Sequence, residues 1–261
     1  VYTPARPADH REWSLFKEGG FTIKKRAEVL GIITKGKRGV CAAGTHGKTT
    51  TSTMTAHLLH SSEVDCAAFL GGISKNYDTN LLIHENDVIV AEADEFDRSF
   101  HWLTPFASVI TSTDADHLDI YGDEKAYLES FSHYTSLIQP GGALIMRKGI
   151  KLEPNTQENV TIYTYSQEEG DFHAENIRIG NGEIYFDYIS PLGNIADIRL
   201  GVPVAINIEK YTLSISFSTS DFINVAQQII PAKPYSTALV VFLVHILYTI
   251  YRMNDMKRKK L

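Results

Sequence analysis

Two cysteines, Cys41 and Cys66, are too few for the disulfide framework of a small secreted protein. Neither stands in a Cys-x-x-Cys spacing, which argues against a thiolate zinc site. Both are read as buried thiols of a reducing, cytoplasmic compartment. The chain also lacks a strong excess of one charge. Its 25 Lys and Arg face 31 Asp and Glu, a formal net charge of −6. General nucleic-acid binding is not expected on that balance, and an anionic ligand must be held by local cationic groups. No apolar run reaches the ~20 residues that a bilayer-spanning helix needs; residues 238–251 come nearest, so a membrane span is not expected. Val1-Tyr2-Thr3-Pro4 shows neither a signal-peptide pattern nor an initiator Met, which fits a chain beginning inside a larger protein. What is present is ordinary for a globular protein: 261 residues, 43% hydrophobic and 21% charged, enough for one large domain or two small ones.

Residues 22–33 are compatible with a helix that runs into a basic connector. The apolar run 39–43 reads as a short buried strand, and 48–60, free of strong breakers, as a helix. Further buried strands are expected at 87–91, 108–111 and 142–146, with a helix at 125–138. Strands that alternate with helices predict an α/β fold: a mostly parallel sheet of the phosphate-loop type, flanked by helices. From residue 160 the pattern changes. Segments 160–165, 172–179, 183–189 and 195–200 read as strands, and Asn181-Gly182 is a hairpin signal. An antiparallel meander attached to the main sheet is expected there.

Gly44-Thr45-His46-Gly47-Lys48-Thr49-Thr50 falls between the first strand and the first long helix. Glycines let backbone N–H groups turn toward a phosphate, and the helix N-terminus adds positive potential. Lys48 can reach terminal phosphates, and Thr49 offers a hydroxyl to Mg²⁺. The strict motif has Gly where this chain has Ala42, so a glycine-rich turn capping a helix is the competing reading.

Glu92-Ala93-Asp94-Glu95-Phe96-Asp97 follows the second expected strand, and Thr111-Ser112-Thr113-Asp114-Ala115-Asp116-His117-Leu118-Asp119 follows the third. Both clusters should therefore lie at the carboxyl edge of the sheet, where open α/β sheets bind ligands. A carboxylate there can hold Mg²⁺, although a run of four acids in six residues also fits a solvated loop. His117 fits a metal ligand, a base or a helix cap. The glycine-rich stretch 69–80 fits a substrate loop or an ordinary surface loop.

Three segments, in this order and spacing, resemble the Mur ligase family: 44–50, 92–97 and 114–123. Within it the likeness is to the branch that adds L-alanine to UDP-N-acetylmuramate. Tyr2-Thr3-Pro4-Ala5 and Lys24-Lys25-Arg26-Ala27-Glu28 resemble the end of that family's UDP-binding domain and the lead-in to its ATPase domain. The resemblance implies an ATP-dependent ligase of peptidoglycan precursor synthesis. ATP phosphorylates the lactyl carboxylate, and the amine of L-alanine attacks the acyl phosphate to give an amide, ADP and phosphate. It implies ATP and Mg²⁺ as cofactors and UDP-N-acetylmuramate and L-alanine as substrates. It also implies roles. Lys48 stabilises the γ-phosphate, Thr49 ligates a first magnesium that Glu92 helps to hold, and His117 binds a second magnesium. Gly44, Thr45, His46, Gly47 and Thr50 complete the nucleotide cradle. A related branch attaches a preformed peptide instead, and Asp-His-Leu-Asp-Ile-Tyr-Gly-Asp at 116–123 favours the alanine branch. A non-catalytic nucleotide-binding remnant and an unrelated phosphate-loop ATPase are the other readings.

The resemblance implies a remnant of the UDP-binding domain at 1–37 and the ATP-binding domain at 38–209. It stops after Asn207-Ile208-Glu209, where the family continues with a second Asn and an Ala-rich helix. Residues 210–261 form a divergent tail, read as a shifted frame or degenerate end, in which the family's C-terminal domain is not found. Weak nucleotide binding and poor turnover are the expectation, because closure normally completes such sites.

Overall fold

The short buried strands from residue 38 onward assemble side by side in a computed structural model that describes residues 1–3, 11–62, 64–181, 183–191 and 193–200. The divergent tail, its apolar run 238–251 and the expected boundary at 209 lie outside the described residues. Two helices, α1 (Arg11–Glu18) and α2 (Arg26–Thr34), precede β1 (Arg38–Ala43) and α3 (Lys48–His60). Next come β2 (Ala67–Ser74), β3 (Thr79–Leu82), β4 (Val88–Ala93), a 3-10 segment (Phe96–Trp102) and β5 (Pro105–Ile110). The chain continues through α4 (Leu118–Tyr121), α5 (Glu124–Ser136), β6 (Ala143–Arg147), β7 (Thr161–Tyr165), β8 (His173–Gly180), β9 (Glu183–Ile189) and β10 (Ile195–Leu200).

Seven strands form one sheet in the order β3-β2-β4-β1-β5-β6-β7, parallel throughout except for the β2–β3 pair. The other three form an antiparallel sheet, β10-β9-β8. The parallel α/β core and the later meander are thus as the residue pattern predicts. The central strand β1 pairs with β4 on one side and β5 on the other. Chain direction across the sheet reverses around β1, which is the kind of switch point that opens a crevice at the carboxyl ends of strands.

Side-chain alternation along β1 splits the core in two. Val40 and Ala42 face Ala56 and Leu59 of α3 and the inner residues Ala174, Ile184, Phe186 and Tyr188 of the small sheet. Cys41 and Ala43 face Phe100, Tyr127, Phe131, Tyr134 and Ile138. On that second face the Ser108 and Tyr134 hydroxyls hydrogen-bond at 2.7 Å, which satisfies two buried polar groups. Burial pushes the Tyr134 phenol well above its ordinary range.

Several expectations shift. The first of the four late segments, 161–165, joins the parallel sheet beside β6 and not the meander. Its alternating Thr-Ile-Tyr-Thr-Tyr pattern suits either kind of strand. The long connection 148–160 supplies the crossover that a parallel partner requires. The small sheet touches the large one through a parallel bridge between Tyr165 and Phe172. The stretch 69–80, read as a loop, is the β2–β3 hairpin, whose glycines hid the strand pattern. β4 runs on through Ala93, so Glu92 lies within the strand. Residues 22–25 stay outside α2, and Lys25 instead bridges to Tyr2. No helix among the described residues is long and apolar enough to cross a membrane.

Phe131 is fully buried between Phe100 and Tyr127. Phe131→Ala should destabilise the fold by about 3–5 kcal/mol, read as a lower urea midpoint. A second prediction concerns pH. Burial, and then the neighbouring His60, holds the His57 imidazole below its ordinary 6.5. The folded ring stays neutral where the unfolded ring takes up a proton, so the stability it contributes is present above pH 6.5 and lost as pH falls through the folded value. Urea midpoints should drop on acidification from neutrality, and His57→Gln should flatten that slope.

Candidate active site at the switch point

Register brings three loops to one level. Ala43 pairs with Ala93 of β4 and with Ile110 of β5, so the segments that follow β1, β4 and β5 leave the sheet together. The loop after β1 turns on two glycines with positive φ, Gly44 at 122° and Gly47 at 87°. A Cβ on Gly44 would lie 2.3 Å from Thr111 Oγ1 and 2.8 Å from the Ser112 nitrogen. That crowding reflects how closely the β1 and β5 loops are joined. Thr45 N–H donates to the Ser112 carbonyl (3.2 Å) and His46 N–H to Ser112 Oγ (2.9 Å). The Thr111 hydroxyl has the carbonyls of His46 (2.6 Å) and Ala43 (3.0 Å) as acceptors for its one proton. The Thr45 hydroxyl donates to the Asp114 carbonyl at 2.7 Å and lies 2.8 Å from the Tyr127 hydroxyl, whose phenol burial pushes above its ordinary range.

Gly47 caps α3 without a side-chain hydrogen bond, so no cap side chain competes for the first-turn N–H groups. Lys48, Thr49 and the half-buried Thr50 form that turn. The Lys48 ammonium folds back over the loop, donating to the Gly44 carbonyl (2.9 Å) and to both carboxylate oxygens of Glu95 (3.0 and 2.7 Å).

One residue further along the helix, Thr49 Oγ1 donates to Glu92 Oε2 at 3.1 Å. The other oxygen, Glu92 Oε1, accepts from Ser52 Oγ (3.1 Å) and from the Gly71 N–H (2.6 Å). A hydroxyl and a carboxylate at this spacing are the hard oxygen donors that Mg²⁺ prefers, and that ion normally completes its shell with water and phosphate oxygens. The donor set therefore fits magnesium. Among the described residues no three His, Cys, Asp or Glu side chains form a ready metal cage. His117 lies on the β5 loop at φ 52°, capping the four-residue α4. Its ring meets Phe96 edge-on at 5.2 Å and lies 3.9 Å from Asp116.

Sequence reasoning singled out the phosphate loop, Glu92 and His117. It named Glu95 only as one acid of the cluster 92–97 and Gly71 only within the stretch 69–80, and it assigned no role to Ser52 or Tyr127. Ser52 stands three residues after Thr49 and shares its helix face, the one sequence hint among these. It also missed the strained run at Asp97 and Arg98, both left-handed with φ near 52° and 53°. Asp97 is held by Lys25 at 2.6 Å, and Arg98 stacks over Tyr121 at 4.7 Å.

The family model of the Mur ligase middle domain matches residues 42–217. The chain belongs to the Mur ligase family. Among curated Mur ligases, the UDP-N-acetylmuramate–L-alanine ligase of Phocaeicola vulgatus is 71% identical over 210 residues, covering 80% of this chain and 46% of that protein. The enzyme of the same name from Porphyromonas gingivalis is 53% identical over 212 residues, with the same coverage. The chain spans about half the length of these curated relatives. In fold it is similar to the UDP-N-acetylmuramate-alanine ligase of Thermotoga maritima, with a TM-score of 0.69 and 22% identity over 88% of this chain and 51% of that one. It is also similar to the UDP-N-acetylmuramate:L-alanyl-gamma-D-glutamyl-meso-diaminopimelate ligase from Neisseria meningitides, with a TM-score of 0.70 and 18% identity over 82% and 71% of the two chains.

A Cβ on Gly71 would lie 2.5–2.6 Å from the Glu92 carboxylate oxygens, and Gly71 does not hold a positive φ. Gly71→Ala should displace this flexible side chain with little change in melting temperature while weakening magnesium-dependent nucleotide binding. Calorimetry with ATP, with and without Mg²⁺, checks it.

Proposed function

We propose that the described domain binds ATP with Mg²⁺ and that the full-length protein joins L-alanine to UDP-N-acetylmuramate through an acyl phosphate. The observation that supports this reading is the common level of the three strand ends, from which the loops bearing residues 44–50, Glu95 and His117 leave the sheet. The loop N–H groups and the start of α3 accept the polyphosphate, and Lys48 donates to its terminal oxygens. Thr49 and Glu92 hold magnesium, which when bound neutralises charge on the transferring phosphoryl group. His117, on the loop after β5, would hold a second magnesium. Phosphoryl transfer asks mainly for position and charge compensation, and these residues supply both. The choice of alanine over a preformed peptide rests on the high identity to alanine-adding relatives.

Titration of the chain with ATP and Mg²⁺ tests the first half. Binding that needs the metal, and that weakens roughly tenfold to a hundredfold in Lys48→Ala, is expected for a lost charge-assisted contact. Phosphate release tests the second half. Release that requires both UDP-N-acetylmuramate and L-alanine supports the ligase. Release with the tripeptide in place of alanine moves the protein to the peptide-adding branch. Binding without release leaves a nucleotide-binding remnant, and hydrolysis indifferent to UDP-N-acetylmuramate sinks the proposal.

A further inference from the structure

An ammonium group has three N–H donors. All three of Lys48 are engaged, two on Glu95 and one on the Gly44 carbonyl. Glu95 is 1% exposed, against 16% for Lys48. Its surroundings are fixed. The Glu95 carbonyl accepts from the Tyr121 hydroxyl at 2.5 Å, and the Phe100 N–H donates to the Asp94 carbonyl at 2.8 Å, which turns the chain around the carboxylate. A buried carboxylate thus stands at the mouth of a loop whose shape suits polyanions.

We infer that Glu95 is a counter-anion built into the phosphate site, cancelling much of the charge of Lys48 and tuning nucleotide affinity downward. This rests on the reading of residues 44–50 as a phosphate cradle. An arriving phosphate oxygen could displace either of the two partners of Lys48, Glu95 or the Gly44 carbonyl. Taking the ammonium from Glu95 would leave a buried carboxylate uncompensated, which is strongly unfavourable. Taking the place of the Gly44 carbonyl displaces a neutral acceptor, a weaker partner than a carboxylate. The phosphate therefore shares Lys48 with Glu95. In that arrangement Lys48 acts as an aimed donor more than as a full point charge, and the fixed negative charge behind it repels the polyphosphate it helps to hold. Repulsion of this kind also favours departure of a product nucleotide.

The sign of the effect separates this role from a structural one. Removing a buried ion-pair partner for purely structural reasons would lower the melting temperature and weaken every ligand together. Here Glu95→Gln, in the full chain with Mg²⁺, should tighten ATP by about tenfold, the scale of one partly screened charge contact, and ADP by less. Glu95→Asp withdraws the charge by one methylene and should tighten ATP by a smaller factor; it is the variant to read if the Gln form fails to give a native melt. Calorimetric titration with ATP and ADP gives both affinities. Unchanged or weaker ATP binding in the variant read overturns the inference and leaves the phosphate-loop reading standing. If the unsubstituted chain binds no nucleotide, or if Lys48→Ala binds as well as it does, both fall together.

Discussion

The parallel pairing of β1 with β4 and β5 is the constraint on which the rest depends. It sets Ala43, Ala93 and Ile110 side by side, so the three loops that follow leave the sheet at one edge and one level. A seam of hydrogen bonds between Thr111, Ser112 and the phosphate loop then ties two of those loops together. Glu92 and Glu95, one at the end of β4 and one just past it, reach the first two residues of α3 from the other side.

The two faces of the sheet are covered by different elements. One holds Phe100 against Phe131 and Tyr134 of α5. The other carries α3 and the small antiparallel sheet. On the β5 and α5 side, Tyr121 and Tyr127 pass from the core to the loops. The Lys48–Glu95 pair lies where that aromatic wall meets the phosphate loop.

Much of this was legible in the residues. α3 begins and ends where its motif and lack of breakers place it, and the apolar run 39–43, read as a buried strand, lies in β1. The order of motifs along the chain also put the acidic and histidine clusters at one sheet edge. Less legible were features that depend on partners distant in sequence. Gly71 looks like a loop glycine until a carboxylate from β4 is seen to need the space its missing Cβ leaves. Glu95 looks like one more acid in a charged run, and its burial becomes visible only once Tyr121 meets its carbonyl and Lys48 its carboxylate. Strand 161–165 has no local signal that distinguishes a parallel partner from an antiparallel one.

The composition of α3 carries a last consequence. Its sequence, Lys-Thr-Thr-Thr-Ser-Thr-Met-Thr, is poor in intrinsic helix formers, and its buried face consists largely of Thr51, Ser52 and Thr55 ahead of Ala56 and Leu59. A helix of this make-up gains little from greasy packing along its first two turns. Small hydroxyl side chains instead fill the space between those turns and the sheet. Whatever meets the Gly47 end of the helix is therefore backed by packed hydroxyls and not by a greasy face.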